Sequence, residues 1–179
     1  PTITVDQNVT VNSLNNAEDV VVGRGTTSVT QQTTNSGAIR VTAGTAQLSL
    51  SGTINDTGEI SATTGTLNLS NGSLTANGSN ARVKGSGAVT LNCVSLYATN
   101  GGVVSLPGAT TYANGVRATY TIQATGTGSK IDLAHLSTMA GSDPYVYDYK
   151  LAITASGGGE VDLAGAITGT TTLPPVDAA

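Results

Sequence analysis

The sequence predicts an all-β solenoid, a right-handed parallel β-helix of about six coils, with a β-sandwich as the second choice. Three observations lead to this fold: an internal repeat, an alternation of apolar and polar residues, and an aliphatic core composition. Between residues 36 and 106 the chain repeats itself about every 21 residues, so that Ile39, Ile60, Val83 and Val104 follow one another at spacings of 21, 23 and 21. A repeat period in this range is typical of stacked coils.

Each repeat shows the alternation expected of a strand that is buried on one side. Leu48 and Leu50 are predicted to face inward and their neighbours outward. The same pattern returns in Leu67 and Leu69, and again in Val89 and Leu91. Asn71-Gly72 and Asn77-Gly78 supply residues that tolerate a positive φ, which a coil needs where it turns a corner.

The composition favours a thin core over a broad one. Thr, Gly, Ser and Asn make up nearly half of the 179 residues, and the chain has no Phe, no Trp and a single Met. A globule normally draws much of its core from large aromatic residues, and here the six tyrosines are the only ones. A solenoid needs only Ile, Leu, Val and Ala inside each coil.

We expect one solenoid domain over residues 1–170, in which residues 1–35 form an N-terminal cap and the first coil. Short segments rich in β-branched residues open the chain, namely Thr2–Val5, Val9–Val11 and Val20–Val22. The polar segment Ser28–Asn35 is predicted to be a loop or an edge strand. Helix is expected to be nearly absent, except for one possible turn over Leu133–Met139. Residues 171–179 are expected to form an extended arm, because their two prolines stop strand pairing.

A second pair of similar segments lies further along the chain. Ser129–Ala134 resembles Gly159–Ala164 at an offset of 30 residues. If the two are successive coils, Lys130 lies beside Glu160 at a strand spacing of about 4.8 Å, and their opposite charges help to fix the register. Asp132 and Asp162 then stack as like charges.

Charge and hydropathy argue against nucleic acids and membranes as partners. Charged residues are 10% of the chain, the formal net charge is −4 and the pI is about 4.6. The seven Lys and Arg residues are scattered singly, so they form no stripe that could follow a phosphate backbone. No basic amphipathic helix and no apolar run of about 18 residues is present, so binding to or spanning a membrane is not expected.

No residue predicts a cofactor, a metal site or a catalytic centre. Cys93 is interpreted as a small buried hydrophobic residue, because no base or family signature accompanies it. His135 has no second His or Cys nearby, as metal binding through nitrogen or sulfur would require. Asp143 and Asp148 match no calcium-binding loop.

These features resemble the repetitive parallel β-helix of bacterial surface proteins and bacteriophage structural proteins. The resemblance covers about residues 1–170 and is carried by Gly65–Ser70 (GTLNLS) and Gly87–Asn92 (GAVTLN). It implies a structural role and a homotrimer. Polysaccharide lyases and hydrolases also use this fold, with acidic residues and a cation on one face. Here the carboxylates would be Asp132 and Asp162, with His135 nearby and either Lys130 or Arg117 as the cation.

The expected function is therefore non-enzymatic: a structural and interaction protein of a bacteriophage virion, either a capsid decoration (cement) protein or a fibre component. Its expected partners are further copies of itself and the major capsid protein or another virion protein. The chain starts at Pro1, and two histories fit this start: a signal peptide was cleaved, although Pro directly after the cleavage site is disfavoured, or an initiator Met was removed and the protein is made without an export signal. The alternative is a secreted adhesin similar to an autotransporter passenger, and a polysaccharide-degrading enzyme comes third.

Two segments outside the regular repeat are the expected contact surfaces. The first is an insertion rich in tyrosine, a residue that is enriched at interface hot spots. The second is the start of the C-terminal arm, which would reach a neighbouring subunit. The interface candidates are Tyr145, Tyr147, Tyr149, Leu173, Pro174 and Pro175.

Overall fold

The computed structural model describes residues 1–114, 118–139 and 151–163, and these ranges form a stack of parallel strands. The strand pairs between them are parallel, and none of the three ranges contains a helix. The predicted all-β parallel solenoid is thereby confirmed, with about five turns where the sequence predicted about six.

The strands form two sheets. Eight short strands make the first, in the order β1 (Thr2–Val5), β3 (Asp19–Val22), β5 (Ala38–Val41), β7 (Glu59–Ala62), β9 (Arg82–Gly85), β11 (Val103–Ser105), β14 (Lys130–Asp132) and β17 (Glu160–Asp162). The second sheet contains five long strands: β2 (Val9–Asn16), β4 (Thr26–Asn35), β6 (Gln47–Asp56), β8 (Thr66–Asn77) and β10 (Ala88–Thr99). These uninterrupted strands account for the five regular turns.

Beyond β10 the long strand is divided into two shorter ones. The two halves of β10 pair with β12 (Ala109–Ala113) and β13 (Tyr120–Thr125), respectively. These in turn pair with β15 (Thr138–Met139) and β16 (Leu151–Ser156). In the later turns the two halves are therefore separate strands, and the stacking of strands continues on both sides of the break.

The bend divides each long strand into two straight halves, so each turn has three sides. At the bend the backbone takes a positive φ, of 78° at Gly52, 52° at Asn71 and 54° at Cys93. One residue in the left-handed conformation reverses the alternation of the strand, so that residues an odd number of positions apart across the bend point to the same side. For this reason Leu69 before the bend and Leu74 after it both point inward and are fully buried. The predicted positive φ is found at Asn71, and at Gly78 in the second predicted pair.

The core is a set of columns in which similar residues stack from turn to turn. Register pairing aligns them in three fully buried columns, one for each side: Ile39, Ile60, Val83, Val104 and Ile131; Leu48 and Leu67; Ile54, Leu74, Leu96 and Ile122. The predicted inward positions of the repeat are confirmed, Val89 and Leu91 among them. A thin aliphatic interior of this kind explains how the chain folds without Phe or Trp.

One local prediction was wrong. The polar segment Ser28–Asn35 belongs to β4, which lies between β2 and β6 inside the sheet and is neither a loop nor an edge. Its inward positions are held by Val29, Thr33 and Asn35, which are buried although two of them are polar. The segment Leu133–Met139, where the sequence allowed a single turn, forms a hydrogen-bonded turn and no helix. The backbone N–H of Leu136 donates to the carbonyl of Leu133 at 3.0 Å in a tight turn, and the apolar residues point inward around that corner.

Candidate functional site

Charge is distributed unequally over the three sides of the solenoid. The outward side of the short-strand sheet, here named the charged face, carries Asp19, Arg40, Glu59, Arg82, Lys84, Lys130, Asp132, Glu160 and Asp162. The described strands of the other two sides carry no charged residue except Asp56, which is buried. The remaining described charges, Asp6, Glu18 and Arg24, lie in the connections between strands.

On the charged face, opposite charges meet across neighbouring strands. Arg40 forms ion pairs with Asp19 on one side and with Glu59 on the other, the latter at 3.8 Å. The Lys130 ammonium lies 2.7 Å from the Glu160 carboxylate, as the offset of 30 residues predicted. The hydrogen bond to Glu160 raises the pKa of Lys130. Exposed pairs of this kind contribute little stability, so their main effect is on strand register.

The two carboxylates considered for catalysis stack as predicted. Asp132 and Asp162 are register partners on neighbouring strands of the charged face. The Ser105 hydroxyl donates to Asp132 Oδ2 at 2.9 Å, and the backbone N–H of Ala134 donates to Asp132 Oδ1 at 3.2 Å. Since both carboxylates lie on the same face, their arrangement does not remove the enzyme alternative.

The other members of the suggested catalytic set add little to this pair. His135 is exposed, and its Nδ1 lies 2.9 Å from the carbonyl oxygen of Pro107. Arg117 lies outside the described residues. The described groups line the outward side of a sheet, and a glycosidase would need the carboxylates in a cleft that holds a sugar.

We name the outward side of the first halves of the long strands, before the bend, the first uncharged face. Its columns consist of small polar residues, for example Ser28, Ser49, Asn68 and Thr90 in successive turns. Hydrogen bonds link these side chains between turns. The Asn68 amide donates to the Ser49 hydroxyl at 3.2 Å, and the hydroxyls of Ser51 and Ser70 lie 2.9 Å apart. Such links restrict the rotamers of these short side chains.

The outward side of the second halves of the long strands is the second uncharged face. One of its columns runs through seven strands as Asn15, Thr34, Asn55, Thr75, Tyr97, Gln123 and Thr154. A parallel column contains Ser13, Gln32, Thr53, Ser73 and Ser95. Thr34, Thr53 and Asn55 are exposed. This is a regular array of hydroxyl and amide groups that sequence inspection missed, because the residue types differ from turn to turn.

A ladder of buried polar side chains lies at the corner after the second halves. The Asn16 amide donates to Asn35 Oδ1 at 2.7 Å, and the Asn35 amide donates to Asp56 Oδ1, also at 2.7 Å. Each asparagine also donates to backbone carbonyls of the corner, as Asn35 does to Gly37 and Glu59. The ladder satisfies polar backbone groups that the corner would otherwise leave unpaired.

Asp56 is the last side chain of this ladder, and its carboxylate is buried with one oxygen unpaired. Its side chain is 0% exposed, its Oδ2 has no hydrogen-bond partner, and the next turn places Ala76 at the same position. Burial raises the pKa of Asp56 to about 6, although hydrogen bonds from Asn35 and from backbone N–H groups lower it. Oδ2 occupies the place that the amide nitrogen takes in Asn35, a donor position that an ionised carboxylate cannot fill.

Cys93 and two tyrosines pack inside the later turns. Cys93 is buried, as predicted, and it occupies the bend of β10 at the place that Asn71 takes in β8. Tyr112 is fully buried and donates its hydroxyl to the carbonyl of Val94 at 2.7 Å. Burial raises the pKa of Tyr112 and of Tyr120. These groups are part of the core.

The predicted interface residues, Tyr145, Tyr147, Tyr149, Leu173, Pro174 and Pro175, lie outside the described residues. In the part of the chain that is described, no three His, Cys, Asp or Glu side chains come together as a metal site would require. No helix within the same ranges is long and apolar enough to cross a membrane. Comparisons with protein families, with curated proteins and with solved structures find no match.

Proposed function

We propose that the protein is a non-enzymatic structural and interaction protein of an exposed surface. The observation that carries the proposal is the pair of uncharged faces along the stack. Charged residues are depleted in the centres of protein interfaces, because a charge that loses its water without a partner costs several kcal/mol. The described part of the chain keeps its charges on one side and in its corners, and this leaves two long sides on which a partner can lie.

The proposed setting is a bacteriophage particle, where the protein decorates the capsid or forms part of a fibre. The solenoid supports this role, because its stacked strands form a continuous hydrogen-bonded rod whose sides offer extended surfaces. The proposed partners are the major capsid protein or another virion protein, and further copies of this chain.

Quantitative mass spectrometry of purified particles tests this setting. We expect the chain to be present at a fixed ratio to the major capsid protein, and to remain in that ratio after a salt wash that removes loosely bound protein. Recovery of the chain from the medium or the outer surface of a bacterium, with none in the particles, would overturn the virion setting in favour of the adhesin.

A further inference from the structure

We infer that the corner between β6 and β7 is a proton-dependent switch, which opens locally while Asp56 is ionised and stays closed while Asp56 holds a proton. Residues 56–59 form this corner, which is named the carboxyl corner. One turn earlier, residues 35–38 form the equivalent corner around Asn35, which is named the amide corner. At the inward position the two corners differ in that a carboxyl group replaces an amide.

Equivalent backbone hydrogen bonds hold the two corners closed. In the carboxyl corner the N–H groups of Thr57 and Glu59 donate to carbonyls of the preceding turn at 2.8 and 2.9 Å. In the amide corner those of Ser36 and Ala38 do the same at 2.8 and 2.7 Å. Because the backbones match, a difference in how readily the two corners open is expected to follow from the buried inward side chain.

The ionised carboxyl cannot complete the hydrogen bonding of its corner. Asp56 Oδ1 accepts a bond from the Asn35 amide at 2.7 Å, but Oδ2, at the place of an amide nitrogen, is buried without a partner. A buried charge without a partner is costly, so ionisation favours a state in which water reaches Oδ2. A proton on Oδ2 turns the group into a donor, which can serve a corner carbonyl as the Asn35 amide serves that of Gly37.

No positive charge of the described residues is paired with Asp56. The neighbouring strands β4 and β8 place the neutral residues Asn35 and Ala76 beside it. From β9 the backbone N–H of Arg82 favours the ionised form, while the guanidinium of the same residue donates to two backbone carbonyls. Within the described ranges, no Lys, Arg or His forms an ion pair with Asp56. Opening to water is therefore the way in which the ionised carboxyl gains stabilising contacts.

The shift in the pKa of Asp56 sets the size of the effect. Burial, with a smaller contribution from the negative charge of Glu59 in β7, raises this pKa from 3.8 to about 6, against hydrogen bonds that lower it. In the open corner the carboxyl is hydrated and returns to the lower value, so the open form loses its proton first as the pH rises. One pKa unit corresponds to a tenfold change, and the equilibrium constant for opening is therefore expected to rise roughly fiftyfold between about pH 4 and pH 7.

Hydrogen exchange followed by NMR at each amide tests the switch, because it measures local opening residue by residue. The amides of Thr57 and Glu59 report on the carboxyl corner, and those of Ser36 and Ala38 report on the amide corner. Rates are divided by the intrinsic exchange rate of an unfolded chain at the same pH. From about pH 4 to pH 7 we expect the first pair to accelerate at least about tenfold and the second pair to change less than about twofold.

Two variants separate the carboxyl from other effects of pH. Asp56→Asn is expected to remove the acceleration, and Asp6→Asn, which changes an exposed carboxylate outside the corner, is expected to keep it. An equal acceleration in both corners would overturn the switch, since the buried charge would then act on the fold as a whole. So would the absence of acceleration in the carboxyl corner, or an acceleration that persists in folded Asp56→Asn.

Discussion

Asp56→Asn is expected to raise the free energy of unfolding at pH 7 by about 3 kcal/mol. Burial raises the pKa of this carboxyl from 3.8 to about 6, and each pKa unit corresponds to about 1.4 kcal/mol. An asparagine removes this cost and supplies the missing donor. Its amide nitrogen would reach the carbonyls of Gly58 and Arg82, as that of Asn35 reaches Gly37 and Glu59, because Arg82 is the register partner of Glu59.

The pH dependence of this gain has a definite sign. The native-state pKa of Asp56 lies above the unfolded value, so the unfolded chain loses its proton first as the pH rises. The native protein is therefore not penalised by Asp56 below about pH 4, becomes progressively less stable between about pH 4 and 6, and carries the full penalty above that. The advantage of Asp56→Asn should grow over the same interval.

Urea unfolding of the native chain and Asp56→Asn at pH values from 4 to 7 provides the measurement. Asp6→Asn is the matched control, since it removes an exposed carboxylate outside the ladder, and its stability should stay within about 0.5 kcal/mol of the native value. An Asp56→Asn variant that is less stable at pH 7, or whose gain is the same at every pH, would contradict the account of the ladder.

Gly72→Ala is expected to destabilise the protein by about 3 kcal/mol or more. A Cβ at this position would overlap the backbone carbonyl of Gly52 in the neighbouring strand. Backbone atoms of a hydrogen-bonded strand cannot move aside as a flexible side chain can, so the two strands would have to separate at the bend. Gly72 does not have a positive φ, so the expected loss reflects this overlap alone.

Gly44→Ala is the control for this effect. Gly44 is exposed, it also lacks a positive φ, and an added Cβ would come within 4 Å of only the Thr64 carbonyl oxygen, at 3.8 Å. Its free energy of unfolding should stay within about 0.5 kcal/mol of the native value. Thermal or urea unfolding of both variants gives the comparison. Equal stabilities would show that the turns are not packed as closely at the bend as the structure has them.

The repeat predicted the strands and the core well, because both follow from local pattern. Leu48, Leu67 and Ile39 alternate with polar residues, and a period of two leaves little choice of which side is buried. The pairing of Lys130 with Glu160 was also predictable, since two similar segments at one offset align in register. Strand β4 was missed because two of its buried positions are occupied by the polar residues Thr33 and Asn35. The alternation of apolar and polar residues that identifies the other strands is therefore absent there.

The ladder and the uncharged faces were missed for a different reason. Both depend on which residues of different turns become neighbours, and that requires the length of every turn to be known. Asn16, Asn35 and Asp56 are separated by 19 and 21 residues and are followed by different residues, so no single motif joins them. One signal was available: Asn35 and Asp56 both precede a glycine by two positions, in Asn35-Ser-Gly37 and Asp56-Thr-Gly58.

Cysteine labelling of the assembled protein tests the central claim, that the uncharged sides face partners and the charged side faces solvent. Thr53→Cys places a thiol on the second uncharged face, and Lys84→Cys places one on the charged face; both native residues are exposed. The unsubstituted protein gives the background, since Cys93 is buried.

The rate of reaction with a maleimide in the native assembly is the quantity to measure. The account predicts that Thr53→Cys reacts at least about tenfold more slowly than Lys84→Cys, because the centre of an interface excludes solvent. Equal rates, or slower reaction of Lys84→Cys, would contradict it.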